Sequence, residues 1–361
     1  MTAAAAAFLR LGVIEGDGIG PEIVRVAIAA ADAACVREGF RVDWMPLPGC
    51  AAAITSHGTP MPASTIEALG NLDGWVLGPH DSAAYPPEHR ATLNPSGMLR
   101  KRFDLFANVR PAAVMPGVPA LAPPCDLVIV RENTEGFYAD RNMYAGAGEF
   151  MPTPEVALTV GVFTRPAIER IANVACALAM RRRRKLTIVH KANVLRATEF
   201  FRDICREVAS AYPGLAVDGY HVDAMAAYLV RDPGRFDVVV TENMFGDILS
   251  DLAGELCGSL GLAASINAGE RVAMAQAAHG SAPDIAGRDI ANPVAMVLST
   301  AMLIRWLGDS QGKAAWIAAA DRIDAAVSGV LGRGICTPDL GGTAGTRSFG
   351  DAVNAWVSEQ G

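Results

Sequence analysis

A chain of 361 residues with 51% hydrophobic side chains buries a large core, so disorder is excluded and one or two domains are expected, two more readily than one. Its 38 acidic against 31 basic residues leave a net charge of −7, which excludes a general field for nucleic acid. The seven cysteines, Cys35, Cys50, Cys125, Cys176, Cys205, Cys257 and Cys336, are odd in number and lack C-x-x-C spacing, against a disulfide framework or zinc site and for a reducing compartment.

In chain order, a strand-like run at residues 11–15 leads through IEGDGIGPE into a helical pattern at 21–38. Gly16, Gly18 and Gly20 are spaced G-x-G-x-G, not G-x-G-x-x-G, and Pro21 suits a first helical turn whose amide needs no partner. The turn is weak evidence for a nucleotide and no ordinary Rossmann domain is expected. Further strands are predicted at 74–77, 126–131, 186–190 and 236–241, with helices at 168–180, 197–211 and 247–257. Runs such as VIV, LTIVH and DVVVT are apolar on both faces, as in strands covered by helices on either side, so the class is α/β. Breaks at 78–87 and 111–124 mark loops, the second a candidate domain crossing. Residues 140–154, DRNMYAGAGEFMPTP, fit neither period and read as a projecting arm or a surface loop. The basic run RRRRK at 181–185 sits where a helix gives way to a strand, so a solvated helix cap is favoured over a phosphate patch. The amino terminus lacks an export pattern and no apolar run reaches spanning length, so a cytoplasmic protein without a membrane partner is expected.

Residues 241–254, TENMFGDILSDLAG, place Asp247 and Asp251 four apart, on one helix face. A bare D-x-x-x-D also fits a solvated face, but the apolar neighbours Ile248, Leu249, Leu252 and Ala253 favour burial. Two buried carboxylates need a positive partner, and a divalent cation takes oxygen ligands. Arg100, Arg110 and Arg131 each end an apolar segment; three planar guanidinium forks beside an acidic cluster point to a polycarboxylate substrate, with structural salt bridges as the alternative. Tyr138 and Lys191 are candidate proton carriers, since an amine desolvated beside a cation gives up its proton more readily; either is also compatible with a surface side chain.

The segments IEGDGIGPEIV, LRKRFDLFANVRP, VRENTEGFY, HKANVLRAT, VDAMAAYLVRDPGRFDVVVTENMFGDILSDLAG and HGSAPDIAGRDIANP together resemble the β-decarboxylating dehydrogenases acting on isocitrate, 3-isopropylmalate, homoisocitrate, tartrate and D-malate, over roughly residues 11–307. The resemblance implies the isopropylmalate/isocitrate dehydrogenase-like fold: two α/β domains with a central cleft, a large cofactor domain from 1–108 and 258–361, and a small dimerisation and metal domain from 109–257 with its arm at about 139–160. It also implies a homodimer with shared active sites. Asp247 and Asp251 look like metal ligands of one subunit and Asp223 like the ligand lent by the other, for Mg²⁺ or Mn²⁺. Arg100, Arg110 and Arg131 look like the carboxylate clamp, Tyr138 the group that protonates the enol, and Lys191, from the partner subunit, the base that takes the hydroxyl proton.

The resemblance also identifies residues 279–293 as an adenosine-binding loop, with His279, Gly280, Ser281, Ala282, Asp284, Ile285 and Asn292 at the cofactor and Asn292 near the adenine. A carboxylate at Asp284 accepts from ribose hydroxyls and repels a 2′-phosphate, whereas NADP-users of the family carry lysine and tyrosine at 284 and 285, so NAD is expected. Gln276, Ala277 and Ala278 depart from the family's usual Glu-Pro-Val. Isopropylmalate enzymes have a leucine pair where this chain has Ser96 and Gly97, while Asn94 and Ser96 resemble, in exchanged order, the Ser-x-Asn that meets the γ-carboxylate in isocitrate enzymes. The expected order is therefore isocitrate-like, then D-malate or tartrate, then isopropylmalate. Non-catalytic regulatory relatives lose the metal aspartates, the lysine or the tyrosine; this chain keeps all five.

Overall fold

The computed structural model describes residues 8–90, 93–138, 143–144, 146 and 148–359. The first part alternates as its apolar periods predict: β1 (Phe8–Ile14), α1 (Gly20–Arg37), β2 (Arg41–Pro46), α2 (Cys50–His57), α3 (Ala63–Leu69) and β3 (Gly74–Leu77), then the short helices α4 (Pro87–Arg90) and α5 (Pro95–Arg102). The middle runs β4 (Ala107–Ala113), β5 (Asp126–Glu132), β6 (Glu149–Thr153), β7 (Val156–Thr159), α6 (Arg165–Met180), β8 (Lys185–His190), α7 (Arg196–Ala209), β9 (Ala216–His221), α8 (Val222–Arg231), β10 (Val238–Thr241) and α9 (Asn243–Leu256). The last part is β11 (Ile266–Ala268), β12 (Ala273–Ala275), α10 (Val294–Gln311), α11 (Ala314–Gly332) and α12 (Thr346–Glu359). The break predicted from residue 111 begins later, because β4 continues through Ala113 against β5.

Ten strands form one sheet in the order β2-β1-β3-β12-β11-β4-β5-β10-β8-β9. The outer groups, β2-β1-β3-β12 and β5-β10-β8-β9, are parallel within themselves, whereas the β12-β11, β11-β4 and β4-β5 pairs at the centre are antiparallel. Parallel pairing needs a covering crossover, so β3, the body of β5 and β10 are buried throughout and read as continuous apolar runs. Side chains from both chain ends pack into two core clusters, one around α1, α10 and α11 and one around Trp75 and Leu99. The middle of the chain fills two others, on opposite sides of β5, β8 and β10.

The basic run is more than a solvated helix cap: Arg181, Arg183 and Arg184 are exposed, while Arg182 and Lys185 are half-buried. Arg182 donates to Asp237 at 2.7 Å and Asp126 at 2.8 Å, Lys185 to the Arg235 carbonyl at 2.9 Å, and Arg181 pairs with Asp309 at 3.1 Å. Asp237 is buried, and that fact, invisible in sequence, is what calls for the basic partners. Of the expected arm, 139–142, 145 and 147 lie outside the described residues; β6 and β7 form a two-stranded antiparallel ribbon whose residues are all exposed. All seven cysteines are buried thiols.

Candidate active site

Helix α9 begins a turn earlier than its apolar period predicts, because Glu242 caps it, its carboxylate accepting from the amides of Met244 and Phe245. The helix lies tight on β5: a Cβ at Gly246 would stand 2.7 Å from Arg131 Cβ. Asp247 and Asp251 share the face toward β4 and β5, as the spacing predicts. The burial expected of their neighbours is only partly found, since Ile248 is 59% exposed and leaves that part of the helix open.

The partners of the two aspartates are two buried arginines. Arg110 reaches both, its Nη2 3.3 Å from Asp247 Oδ1 and its Nη1 3.1 Å from Asp251 Oδ1, and donates to Asn108 at 2.6 Å and Ser250 at 2.8 Å. Arg131 pairs with Asp247 and donates through Nε to Asn243 at 2.8 Å. Tyr138 donates to the other Asp247 oxygen at 3.1 Å. Burial would raise the Asp247 carboxyl, but Arg131, Arg110 and Arg100 outweigh it and hold the group below its usual range. Asp251 moves the other way: burial raises it and the Asp247 charge adds to that, against Arg110. Burial and the neighbouring Arg131 bring Arg110 down to about 10. Each like-charged pair is thus held together by the opposite pair.

Lys191 follows β8 and Asp223 opens α8, and the two bond to each other, Nζ to Oδ1 at 2.6 Å. That bond holds the exposed Asp223 carboxyl below its usual range. Among the described residues no three acidic, histidine or cysteine groups converge as a metal site. The residues expected in one site therefore form two clusters within the chain, Asp247, Asp251, Tyr138 and the arginines in one, Lys191 with Asp223 in the other.

Asn94, Ser96 and Arg100 stand on and before α5. Asn94 is its N-cap, Oδ1 accepting from Gly97 N at 2.7 Å and from Ser96 Oγ at 3.1 Å, while Ser96 Oγ lies 3.1 Å from His80 Nε2. Arg100 is buried one turn beyond Ser96, and its Nη2 donates to Gln276 Oε1 at 3.3 Å. Asn94 Oδ1 and the Ser96 hydroxyl are thus engaged inside the chain.

The loop at 279–293 docks on the glycine turn after β1. Ile19 N donates to Ser281 O at 2.8 Å, and a Cβ at Gly18, whose φ is +58°, would stand 2.0 Å from that oxygen. The G-x-G-x-G spacing therefore serves a close backbone approach between turn and loop. Gly280 and Asp284 are exposed, Ala282 and Ile285 half-buried. His279 Nδ1 is 2.9 Å from Gly280 O, its Nε2 is buried with no hydrogen-bond partner among the described residues, and burial lowers the imidazole from its ordinary value. Asn292 accepts from Val294 N and donates to Asp339, both at 3.0 Å, so its side chain is held in place from two sides.

Sequence reasoning passed over Asn108, His80 and Gln276. Asn108 carried a signal, since it sits two residues before Arg110 on one strand and so shares its face; its Nδ2 also ties β4 to Asn267 at 3.1 Å. Gln276, a departure from the family pattern at the entry of the 279–293 loop, is the acceptor for Arg100.

A profile of the isocitrate/isopropylmalate dehydrogenase family matches residues 10–353. The chain is 41% identical over 340 residues to a 3-isopropylmalate dehydrogenase of Methanothermobacter thermautotrophicus, covering 94% of this chain and 95% of that protein. It is 42% identical over 348 residues to an isocitrate/homoisocitrate dehydrogenase of Thermus thermophilus, covering 95% and 97%. Its fold superposes on the crystal structure of isocitrate dehydrogenase from Methylococcus capsulatus with a TM-score of 0.86 and 39% identity, over 97% of this chain and 100% of that one. Fold, motifs and full-length matches converge: the chain belongs to the isocitrate/isopropylmalate dehydrogenase family, enzymes that oxidatively decarboxylate hydroxy acids.

Proposed function

We propose that this dehydrogenase oxidises and decarboxylates a (2R)-2-hydroxy-3-carboxy acid of the malate type, with NAD and Mg²⁺ or Mn²⁺, in a homodimer whose two sites are each built from both protomers. The observation that carries this is the charge-balanced nest of Arg110 and Arg131 with Asp247 and Asp251. Its two cations match a dicarboxylate and its two anions match a dication, so both can enter without leaving a buried charge uncompensated. The acidic groups are oxygen donors only, which suits a hard cation, and the separation of Lys191 and Asp223 from this nest fits a site completed by a second chain.

The exposed apolar ribbon, with Phe150 at 50% and Leu158 at 46%, and the open Ile248 on α9 support burial against that second chain. The division into 1–108 with 258–361 and 109–257 is supported by the core clusters, which separate largely along the same lines.

A divalent cation held by Asp247 and Asp251, with Asp223 of the partner subunit, would supply polarisation of the C2 oxygen and offset the enolate charge, and NAD would supply the acceptor for the C2 hydride. In this reading Lys191 of one protomer takes the hydroxyl proton. Arg100, Arg110 and Arg131 of the other orient the carboxylates until the C3–carboxylate bond breaks and CO₂ leaves. Tyr138, beside Asp247, returns a proton to C3. In the 279–293 loop, His279, Gly280, Ser281, Ala282, Asp284, Ile285 and Asn292 hold the adenosine end; the exposed Asp284 is free to meet a ribose diol. Asp284→Lys combined with Ile285→Tyr is expected to lower the NAD-to-NADP ratio of kcat/KM by roughly 10²-fold or more, because a repulsion becomes an ion pair; steady-state rates with both cofactors read it, and an unchanged ratio refutes the assignment.

The substrate order read from the sequence put isocitrate first. The relatives' names lean toward isopropylmalate, yet the residues before Arg100 offer no leucine pair, and of the Asn94 and Ser96 groups the amide oxygen and the hydroxyl are already engaged within the chain. A small or hydroxyl-bearing C3 is the better match. NADH formation with Mn²⁺ and a panel of D-malate, tartrate, isocitrate, homoisocitrate and 3-isopropylmalate tests the reading; silence with every acid would favour a binding-only regulatory subunit.

A further inference from the structure

Arg110 and Arg131 each turn two edges to two kinds of partner. Their Nη atoms meet the carboxylates of the acidic pair, whereas each Nε meets a neutral amide oxygen, Arg110 at Asn108 Oδ1 (2.6 Å) and Arg131 at Asn243 Oδ1 (2.8 Å). Both asparagines are fully buried. Neither amide has a choice of orientation. An arginine Nε only donates, so the atom before it is Oδ1. On the far side Asn108 Nδ2 donates to the Ile266 carbonyl at 3.2 Å and Asn243 Nδ2 to the Glu135 carbonyl at 2.8 Å, and a carbonyl only accepts. Asn108 Nδ2 also reaches Asn267 Oδ1 at 3.1 Å, which takes a second N–H from Asn133 at 3.0 Å.

The sheet sets this arrangement. Asn108 stands two residues before Arg110 on β4, opposite Arg131 on β5 and Asn267 on β11, so the four side chains share one face. Asn243 opens α9, the helix that lies tight on β5 at Gly246. We infer that Asn108 and Asn243 are positioning residues: they fix the Nε edges of Arg110 and Arg131, so that the Nη forks stand aimed at the acidic pair and at the carboxylates of a bound acid. The inference rests on the proposed role of both arginines as substrate ligands. A guanidinium held through Nη alone can pivot, and a contact at Nε sets its plane. A carboxylate behind Nε would also set the plane, but its charge would offset the cation that a substrate anion needs. A neutral amide orients the fork and leaves its charge whole.

The test uses the full-length enzyme with Mn²⁺, NAD and whichever of D-malate, tartrate, isocitrate, homoisocitrate and 3-isopropylmalate it turns over fastest. Asn243→Ala and Asn108→Ala are each expected to lower kcat/KM for that acid by roughly 10- to 100-fold, chiefly through KM, because a ligand displaced by about 1 Å loses its alignment. KM for NAD is expected to stay within about threefold of its original value. A mere fold defect lowers the active fraction, and so kcat, with both KM values unchanged. Asn243→Ser and Asn108→Ser are gentler on the fold, since a hydroxyl can hold a water in the vacated space, and too short to replace the amide oxygen; they are expected to raise KM for the acid in the same direction. Lysine backgrounds supply the second readout, because lysine has a methylene where arginine has Nε. Asn243→Ala added to Arg131→Lys, and Asn108→Ala added to Arg110→Lys, are each expected to change kcat/KM by no more than about threefold. An unchanged kcat/KM in both asparagine positions, a fall carried by kcat alone, or the full alanine effect persisting in the lysine backgrounds overturns the inference while the dehydrogenase reading stands. Turnover of none of the acids by the unaltered enzyme overturns that reading and this inference with it.

Discussion

Asp247→Asn is expected to lower turnover by roughly 10³-fold or more and to destabilise the fold at the same time. The first effect follows from the loss of one of three acidic cation ligands: charge stabilisation worth several kcal/mol disappears, at about 1.4 kcal/mol per factor of ten. The second follows from packing. The Arg131 side chain is only 2% exposed, and its charge is balanced by Asp247. An amide there leaves a buried guanidinium short of its anion, a penalty of about 3–5 kcal/mol for a fully buried pair. The Asp247 side chain is 35% exposed, so solvent screening reduces this to about 1–3 kcal/mol. Turnover with saturating Mn²⁺, Mn²⁺ titration calorimetry and a melting curve read the three parts. Near-normal turnover or unweakened Mn²⁺ binding would remove the metal assignment, and an unchanged Tm would mean that Arg131 finds another partner.

Lys191→Ala is expected to lower kcat by roughly 10²- to 10⁴-fold, the range of a lost general base, with little change in Tm. The contrast has a structural cause: the Lys191–Asp223 pair is exposed, with side chains 25% and 66% accessible, and solvent screening leaves such a pair little to contribute to stability. The two variants also test the shared site. If Lys191 of one protomer serves the Asp247 cluster of the other, mixing the two inactive proteins after dissociation gives heterodimers with one intact site and one doubly altered. Random reassociation then restores about one quarter of wild-type activity, since half the dimers are mixed and half their sites are whole. No recovery from a mixture shown by native mass spectrometry to contain heterodimers would place both residues in one protomer's site.

These expectations trace back to features that differ in how far the chain alone displayed them. The strands at 74–77 and 186–190 and the helix over most of 168–180 could be read directly, because burial on both faces of a parallel strand leaves an unbroken apolar run, and burial on one side of a helix leaves a 3.6-residue period. Asp247 and Asp251 on one face of α9 followed from their spacing for the same reason. The start of α9 did not, since its first turn is held by the Glu242 cap and lacks an apolar period. Ile248 was misjudged because local hydrophobicity does not say which side of a helix has a neighbour within its own chain.

What the sequence by itself determined is the α/β class, the family and the inventory of charged and proton-carrying groups, because periodicity, spacing and motif order are local properties of the chain. Tertiary structure alone decided what those groups are bonded to. It set Arg110 between two aspartates, separated Lys191 and Asp223 from them, turned a basic run into the counter-charge of buried Asp237, and brought His80 to Ser96 across 16 positions. The physical reason is that hydrogen-bond and ion-pair energies depend on distances of a few ångströms between residues far apart in sequence, and sheet order and helix docking set those distances.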